Sequence, residues 1–386
     1  MRIVMLVTDL NIPFGGMRAE AVHTRSVVAA LLRAGHEVSA LVATPGAPET
    51  YASLVARGLD VRVLRQPRTV RELDWHFSQV NPDLVIERLA LLSPEGALAA
   101  AEAGVPHVYE VNAPLDLEAA RHRNFDRVPE ARAAFTQGFA VSRGAIAVSD
   151  EVASWVHTLA PEGFPVHVQS NGADPSFLEA ADPQLVRRIQ ERLRLGNGEF
   201  RIGFVGSFRP WHDLDSLLHA ADDVAVHTPV RLLMIGDGPQ RNHLLRTAWS
   251  SRAAVTMTGL VPHTEMSAHL ALCDMVAVPY AAGADYFSPI KLVEAMAASR
   301  PVVATSTGPV QAVVSDGVNG LLLEPGDRAG WSTAIRRLAL EPSLRGRLGA
   351  EARRTVERGH LWDEAVARML AFATRLSPGR KDARTA

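Results

Sequence analysis

The stretch Arg201-Ile202-Gly203-Phe204-Val205-Gly206-Ser207-Phe208-Arg209-Pro210-Trp211-His212 decides how this chain is read. Its first five residues are strand-like, a Gly-Ser turn follows, and an arginine stands just beyond. This is where a count of strands restarts. Downstream come further short β-branched runs at 230–235, 255–258, 275–278, 301–304 and 320–323, each trailed by a helical segment. Upstream lies an earlier series at 2–7, 37–42, 60–64, 84–87, 107–111, 145–148 and 166–169. Short β-branched runs alternating with Ala- and Leu-rich helices are the pattern of parallel sheets covered on both faces. The fold class is therefore α/β, with two Rossmann-like domains expected to face one another across a cleft. The turn-rich Ser170-Asn171-Gly172-Ala173-Asp174-Pro175 suits an interdomain linker, which divides the chain into residues 1–172 and 173–361. Residues 18–34 predict an amphipathic helix stopped by Gly35. The charged, small residues 377–386 are expected to form a disordered tail.

Composition narrows the function classes. At 386 residues the chain suits two domains of ordinary size, and its 47% apolar and 21% charged residues are those of a soluble globular protein. A formal charge of -2 exerts no general pull on nucleic acid or anionic lipid. The single Cys273 excludes an internal disulfide, and its apolar neighbours, without an evident histidine partner, argue against a nucleophile. The N-terminus runs directly into a strand-like segment too short for a signal peptide, and no apolar run is long enough to cross a bilayer. These features predict a cytoplasmic protein, monomeric or homodimeric, with no integral membrane segment and no nucleic-acid partner.

Only two lysines occur in the chain, and Lys291 lies in Asp285-Tyr286-Phe287-Ser288-Pro289-Ile290-Lys291-Leu292-Val293-Glu294. Ser-Pro before a helix start, a compact cation in the first turn and a carboxylate one turn on suggest a diphosphate site, because free amides at a helix N-terminus attract anions. An ordinary solvated lysine in an arginine-biased sequence gives the same letters. Gly236-Asp237-Gly238-Pro239 lacks the third glycine of a dinucleotide fingerprint. Asp213-Leu214-Asp215 has the spacing of an Asp-x-Asp metal site, yet it stands where acidic residues favour a helix start. No His or Cys spacing reads as zinc, so no metal is expected.

In order and spacing, five segments resemble the retaining glycosyltransferases of the GT-B fold, family 4: 204–212, 235–239, 258–262, 278–280, and 288–291 with Glu294 and 301–305. Phe14-Gly15-Gly16, Ala147-Val148-Ser149 and Asn171-Gly172 agree more loosely, and Trp362-Asp363 opens a stretch similar to the family's final helix, 362–376, which returns to the first domain. The resemblance implies an acceptor-binding first domain and a second domain that binds a nucleotide sugar.

From the resemblance, Arg209 and Lys291 neutralise the departing diphosphate, as paired cations can. Glu294 holds the ribose hydroxyls, the turn with Gly206, Gly236 and Gly238 lies near the nucleotide, and Leu260 and Val261 offer backbone groups to the base. Gly15 and Gly16 either admit donor phosphate and acceptor closely, adding their amides as fixed dipoles, or form a tight turn. His212 either donates to the sugar or phosphate or packs beside Trp211. The family's first paired glutamate falls on Tyr286 here, which leaves the donor sugar to Asp285 or to the backbone of Phe287 and Ser288. On the acceptor side, Glu87, Arg88, Glu110 and Asn112 end strands and are expected to point toward the cleft mouth.

The implied function is retaining transfer of a sugar from a UDP- or GDP-type donor to a hydroxyl of a small polar acceptor, the nucleotide sugar being a substrate rather than a prosthetic group. An Arg- and Ala-rich composition is consistent with a high-GC bacterium and with an actinobacterial natural-product enzyme. A GT-B nucleotide-sugar epimerase and a noncatalytic nucleotide-sugar binding protein are the rival readings.

Overall fold

The computed structural model describes residues 1–66, 68–283 and 290–376. The chain divides into two compact units, one holding residues up to Asn171 together with the helix that begins at Trp362, the other running from Gly172 to Leu361. The expected tail at 377–386 lies outside the described residues. No helix among the described residues is long and apolar enough to cross a membrane.

The first unit is a seven-stranded parallel sheet. Its strands are β1 (Arg2–Val7), β2 (Glu37–Val42), β3 (Asp60–Val63), β4 (Leu84–Arg88), β5 (His107–Val111), β6 (Ala145–Ala147) and β7 (Val166–Val168), in spatial order β3-β2-β1-β4-β5-β6-β7. The central strands are apolar on both faces because helices cover both. Along β1, Ile3, Met5 and Val7 enter one core while Val4 and Leu6 enter another. Each such fully buried aliphatic side chain contributes roughly 1.5–3 kcal/mol. The helix Ala19–Arg33 ends where Gly35, at φ +80°, turns into the left-handed region and its amide reaches the Leu32 carbonyl. The helix Trp362–Arg375 places Trp362, Ala365, Val366, Met369, Phe372 and Ala373, a helical stripe, in the same core as Val7.

The second unit repeats the plan with six parallel strands: β8 (Phe200–Val205), β9 (Val230–Ile235), β10 (Ala254–Gly259), β11 (Met275–Val278), β12 (Val302–Thr305) and β13 (Leu321–Leu323), in order β10-β9-β8-β11-β12-β13. Ile202, Phe204 and Met234 pack with Trp331 and Ile335 of the helix Arg328–Leu340. In both sheets the winding reverses beside the first strand, between β1 and β4 and again between β8 and β11. Chain connections leave on opposite sides there, and a crevice opens at the carboxyl ends of the strands.

Candidate functional site

At the β8–β11 reversal the sequence supplies three glycines that bring two loops into backbone contact. A Cβ on Gly236, whose φ is +134°, would stand 2.0 Å from the Gly206 carbonyl oxygen, and one on Gly238 would stand 2.3 Å from the Phe208 nitrogen. The loops after β8 and β9 are further laced by Gly206 N–H to Ile235 O at 2.9 Å and Gln240 N–H to Phe208 O at 3.0 Å. Side chains at these positions would force the loops apart. The third glycine, Gly206, makes room for a cation: Lys291 Nζ lies 3.0 Å from where its Cβ would be.

Lys291 and His212 share a small pocket with Phe204, Val205, Tyr280 and the end of β11 from Val276 to Pro279. His212 is buried, and its Nδ1–H donates to the Ser207 carbonyl at 2.7 Å. Burial first, then the charge of Lys291 and more weakly that of Arg209, push its pKa down to about 3, against the Ser207 bond that pulls it up. Two cations thus act on one imidazole. The ring is neutral, and with Nδ1–H committed to Ser207 it presents a lone pair at Nε2. A neutral ring that donates through Nδ1 offers an acceptor at Nε2, and the ring lies 6.1 Å from that of Trp211 between centroids. Arg209, the other cation, rests its guanidinium 5.5 Å from the centre of the Trp211 ring.

The depressed pKa has a testable sign. An unfolded histidine takes up its proton near pH 6.5, the folded His212 only near 3, so the unfolded state binds more protons between those values. Stability contributed by His212 is complete above about pH 6.5 and falls as the pH drops toward 3. His212→Asn is expected to flatten that part of the acid slope. Urea midpoints of both proteins from about pH 7 to about pH 4 measure it, and parallel curves would reject the assignment.

The helix Ile290–Ala297 carries Lys291 and, three positions on, Glu294, which therefore share a face. Glu294 is buried, and its Oε1 lies 2.8 Å from His263 Nε2. Leu260, in the loop after β10, is 55% exposed, and Val261 is half-buried. Asp285, Tyr286, Phe287 and Ser288 lie outside the described residues. Asp213 caps the helix Leu214–Ala225 by accepting from Ser216 N–H, and Asp215 holds His243 Nε2 at 2.8 Å. Among the described residues no group of three or more His, Cys, Asp or Glu is placed to hold a metal ion.

In the first unit Gly15 and Gly16 follow β1, but their amides are committed within the protein. Gly15 N–H donates to Pro45 O and Gly16 N–H to Pro13 O, both at 2.8 Å. A Cβ on Gly15 would meet the Ala47 oxygen at 2.4 Å, so the glycine serves the close approach of the loop after β2. The expectation that these amides act as fixed dipoles on the donor is corrected accordingly: a committed N–H has no donor to spare. Arg25 Nη1 donates to the Phe14 carbonyl and ties this loop to the first helix.

Glu87, expected at the strand mouth, points elsewhere. It is fully buried, 3.0 Å from His107 Nε2, under Gly96 of the helix Glu95–Glu102, where a Cβ would strike its Oε2 at 2.2 Å. Burial pushes its pKa up, an effect that the His107 contact only partly opposes. Side chains alternate along a strand, so Arg88 faces the other way, beside its β5 register partner Glu110. Glu110 is bonded to His23 Nε2, and the ring of His23 meets Trp362 edge-on at 4.9 Å between centroids. Burial alone would raise the Glu110 pKa; the charge and hydrogen bond of His23, with Arg88, outweigh it and hold the carboxyl below its usual range. Arg88 is buried, and its Nη1 has no hydrogen-bond partner among the described residues. Asn112 is half-buried two residues beyond Glu110.

The structure therefore gathers Gly206, Gly236, Gly238, His212, Arg209 and Lys291 around one end of the second sheet, and Arg88, Glu110 and Asn112 on one face of the first. It takes Glu87 away from the latter group. Sequence reading missed His263, His107 and His23 as partners of carboxylates. Each pair is separated by 20 to 87 residues, and only strand register or loop packing brings it together.

Residues 20–177 match the family described as Glycosyltransferase Family 4, and residues 199–341 match Glycosyl transferases group 1. The chain is similar to D-inositol 3-phosphate glycosyltransferases. It is 30% identical over 201 residues to that of Stackebrandtia nassauensis, covering 48% of this chain and 44% of the relative. To that of Xylanimonas cellulosilytica it is 32% identical over 229 residues, covering 56% and 53%. The chain spans about half the length of the curated relatives it matches. Among solved structures, HepE of Anabaena in complex with UDP-glucose superposes with a TM-score of 0.74 at 20% identity, covering 96% of this chain and 99% of that one. Sucrose-phosphate synthase of Thermosynechococcus elongatus gives 0.72 at 15% identity, covering 97% and 99%. The shared fold is GT-B, and with one family matched in each unit the chain belongs to the group 1, family 4 glycosyltransferases.

Proposed function

We propose that this protein transfers a sugar from a nucleoside-diphosphate sugar of UDP type to a hydroxyl of a small polar acceptor, with retention at the anomeric carbon. One observation carries the reading: Lys291 Nζ is seated over the glycine at the end of β8, beside a neutral His212 that Arg209 also influences, with Glu294 on the same helix face. Two cations at the carboxyl ends of parallel strands suit a diphosphate, and a buried carboxylate one turn away suits ribose hydroxyls.

Chemistry follows from that placement. As the bond from sugar to diphosphate breaks, negative charge grows on the phosphate oxygen, and Lys291 and Arg209 stabilise it. The candidate carboxylates of the first unit, Glu87 and Glu110, are each bound to a buried histidine, which is poor placement for a nucleophile that must meet the sugar. A front-face displacement, in which the leaving phosphate takes the acceptor proton, needs no such nucleophile. Arg88 and Asn112 are assigned to the acceptor, with Glu110 behind them engaged by His23, and the relatives' name makes a phosphorylated cyclitol a natural first candidate. A place in specialised metabolism is part of the same proposal.

The test pairs binding with turnover. UDP-glucose, UDP-N-acetylglucosamine and GDP-mannose are each added to the full chain. A matching donor at a hundred times its Kd should stabilise it by about 2.7 kcal/mol, read as a raised melting temperature. The same donor with inositol 3-phosphate or another small polyol should release nucleotide diphosphate and form an axial glycoside, resolved by the anomeric proton coupling. Stabilisation by none of the donors, or an inverted product, would overturn the reading.

A further inference from the structure

We infer that His263 is a positioning residue for the nucleotide, holding Glu294 on the ribose hydroxyls and coupling that carboxylate to the loop after β10. The inference rests on the assignment of Glu294 to ribose made above.

His263 follows directly on Leu260-Val261-Pro262 and opens the single-turn helix His263–Glu265. Its Nε2 lies 2.8 Å from Glu294 Oε1, with the carboxylate side chain 6% exposed and the imidazole 29% exposed. The Phe177 ring lies edge-on to the imidazole at 5.4 Å between centroids. Glu265, two residues on, is anchored by Arg192 Nη2 at 3.1 Å. The imidazole is thus bounded by an aromatic ring, a carboxylate and a pinned turn.

A carboxylate only accepts hydrogen bonds, and it must be aimed to accept from two vicinal hydroxyls at once. An N–H donated to one oxygen fixes the rotamer and leaves the remaining lone pairs set for the ligand, so ordering cost is met before the nucleotide arrives. Because His263 belongs to the loop turn that carries Leu260 and Val261, any shift of that loop moves the ribose acceptor with it. Removing His263 therefore affects recognition of the ribose although the side chain itself need not touch it.

The probe pair is UDP and 2′-deoxy-UDP, or GDP and 2′-deoxy-GDP if the guanine nucleotide is the one that binds, titrated calorimetrically into the full chain. Wild type should prefer the ribonucleotide by about tenfold, the worth of a hydrogen bond to a charged group. Glu294→Gln and His263→Ala should each bring the two affinities close together, His263→Gln should restore part of the preference because its amide can donate, and the double variant should be no worse than Glu294→Gln alone. In turnover, His263→Ala should raise KM for the donor and leave kcat within about twofold, as loss of uniform binding does. Wild-type preference in both His263 variants beside a lost preference in Glu294→Gln overturns the inference, as do additive losses in the double variant. An unchanged preference in Glu294→Gln strikes the ribose assignment itself, and this inference with it.

Discussion

Lys291→Ala is expected to lower turnover with the nucleotide sugar by about a hundredfold or more, the range observed when one charge-stabilising donor is removed from a preorganised site. The ammonium sits beside Gly206 and within the low-dielectric surroundings of Phe204 and Tyr280, where a charge acts more strongly than in water. Its loss should appear mainly in kcat, because the charge it opposes grows as the diphosphate departs. Arginine should rescue poorly: a planar guanidinium is wider than an ammonium, and Phe204 crowds the same spot above Gly206. Initial rates at saturating donor, with melting curves to verify folding, decide the matter. Near-normal kcat in the alanine variant would remove Lys291 from the mechanism.

Gly236→Ala should be the most damaging single-methyl change in the second unit. At φ +134° an alanine is strained by about 1–3 kcal/mol on backbone grounds alone. Its Cβ would also stand 2.0 Å from the Gly206 oxygen, which is backbone and cannot rotate aside. The loop after β8 must shift, and it carries Gly206, the floor beneath Lys291. Stability and turnover should therefore fall together. Gly346→Ala is the control, since Gly346 lies in the helix Pro342–Glu357 with open space around it and should gain about 0.5 kcal/mol. Urea denaturation of both variants, paired with donor titrations, checks the contrast. Unchanged midpoints and donor affinity in Gly236→Ala would show that the two loops are not in obligatory contact.

Strand content was legible because β-branched runs such as 37–42, 107–111 and 230–235 are punctuated by glycine and helix-forming segments, and these become β2, β5 and β9 with the same bounds. Local spacing also placed Lys291 and Glu294 on one helix face, since three residues make almost a full turn. Spatial strand order was not legible: neighbouring apolar strands joined by similar crossovers look alike in one dimension. Glu87 shows the consequence. Position at a strand end suggested the cleft mouth, but which face it takes depends on pairing with His107, twenty residues away. The roles of Gly15 and Gly16 stayed open in the sequence for a related reason, because glycine reports the freedom to approach and not what is approached. The Thr305 hydroxyl, which receives the Tyr280 amide at 2.9 Å, and the His263 contact likewise depend on loops meeting in space.

The carboxylate of Glu87 and the hydroxyl of Tyr109, side by side on paired strands, sit under helix glycines whose Cβ positions they would overlap, Gly96 and Gly138. Sliding β4 by one residue against β5 would turn Glu87 into the hydrocarbon beside Val7 and Val108 and carry Arg88 beneath the helices instead. Neither charge would find its counterpart there, and burying an unmatched ion is heavily penalised. This polar seam thus discriminates against misregistered sheets during assembly, a task that the surrounding aliphatic residues, nearly interchangeable in shape, could not perform.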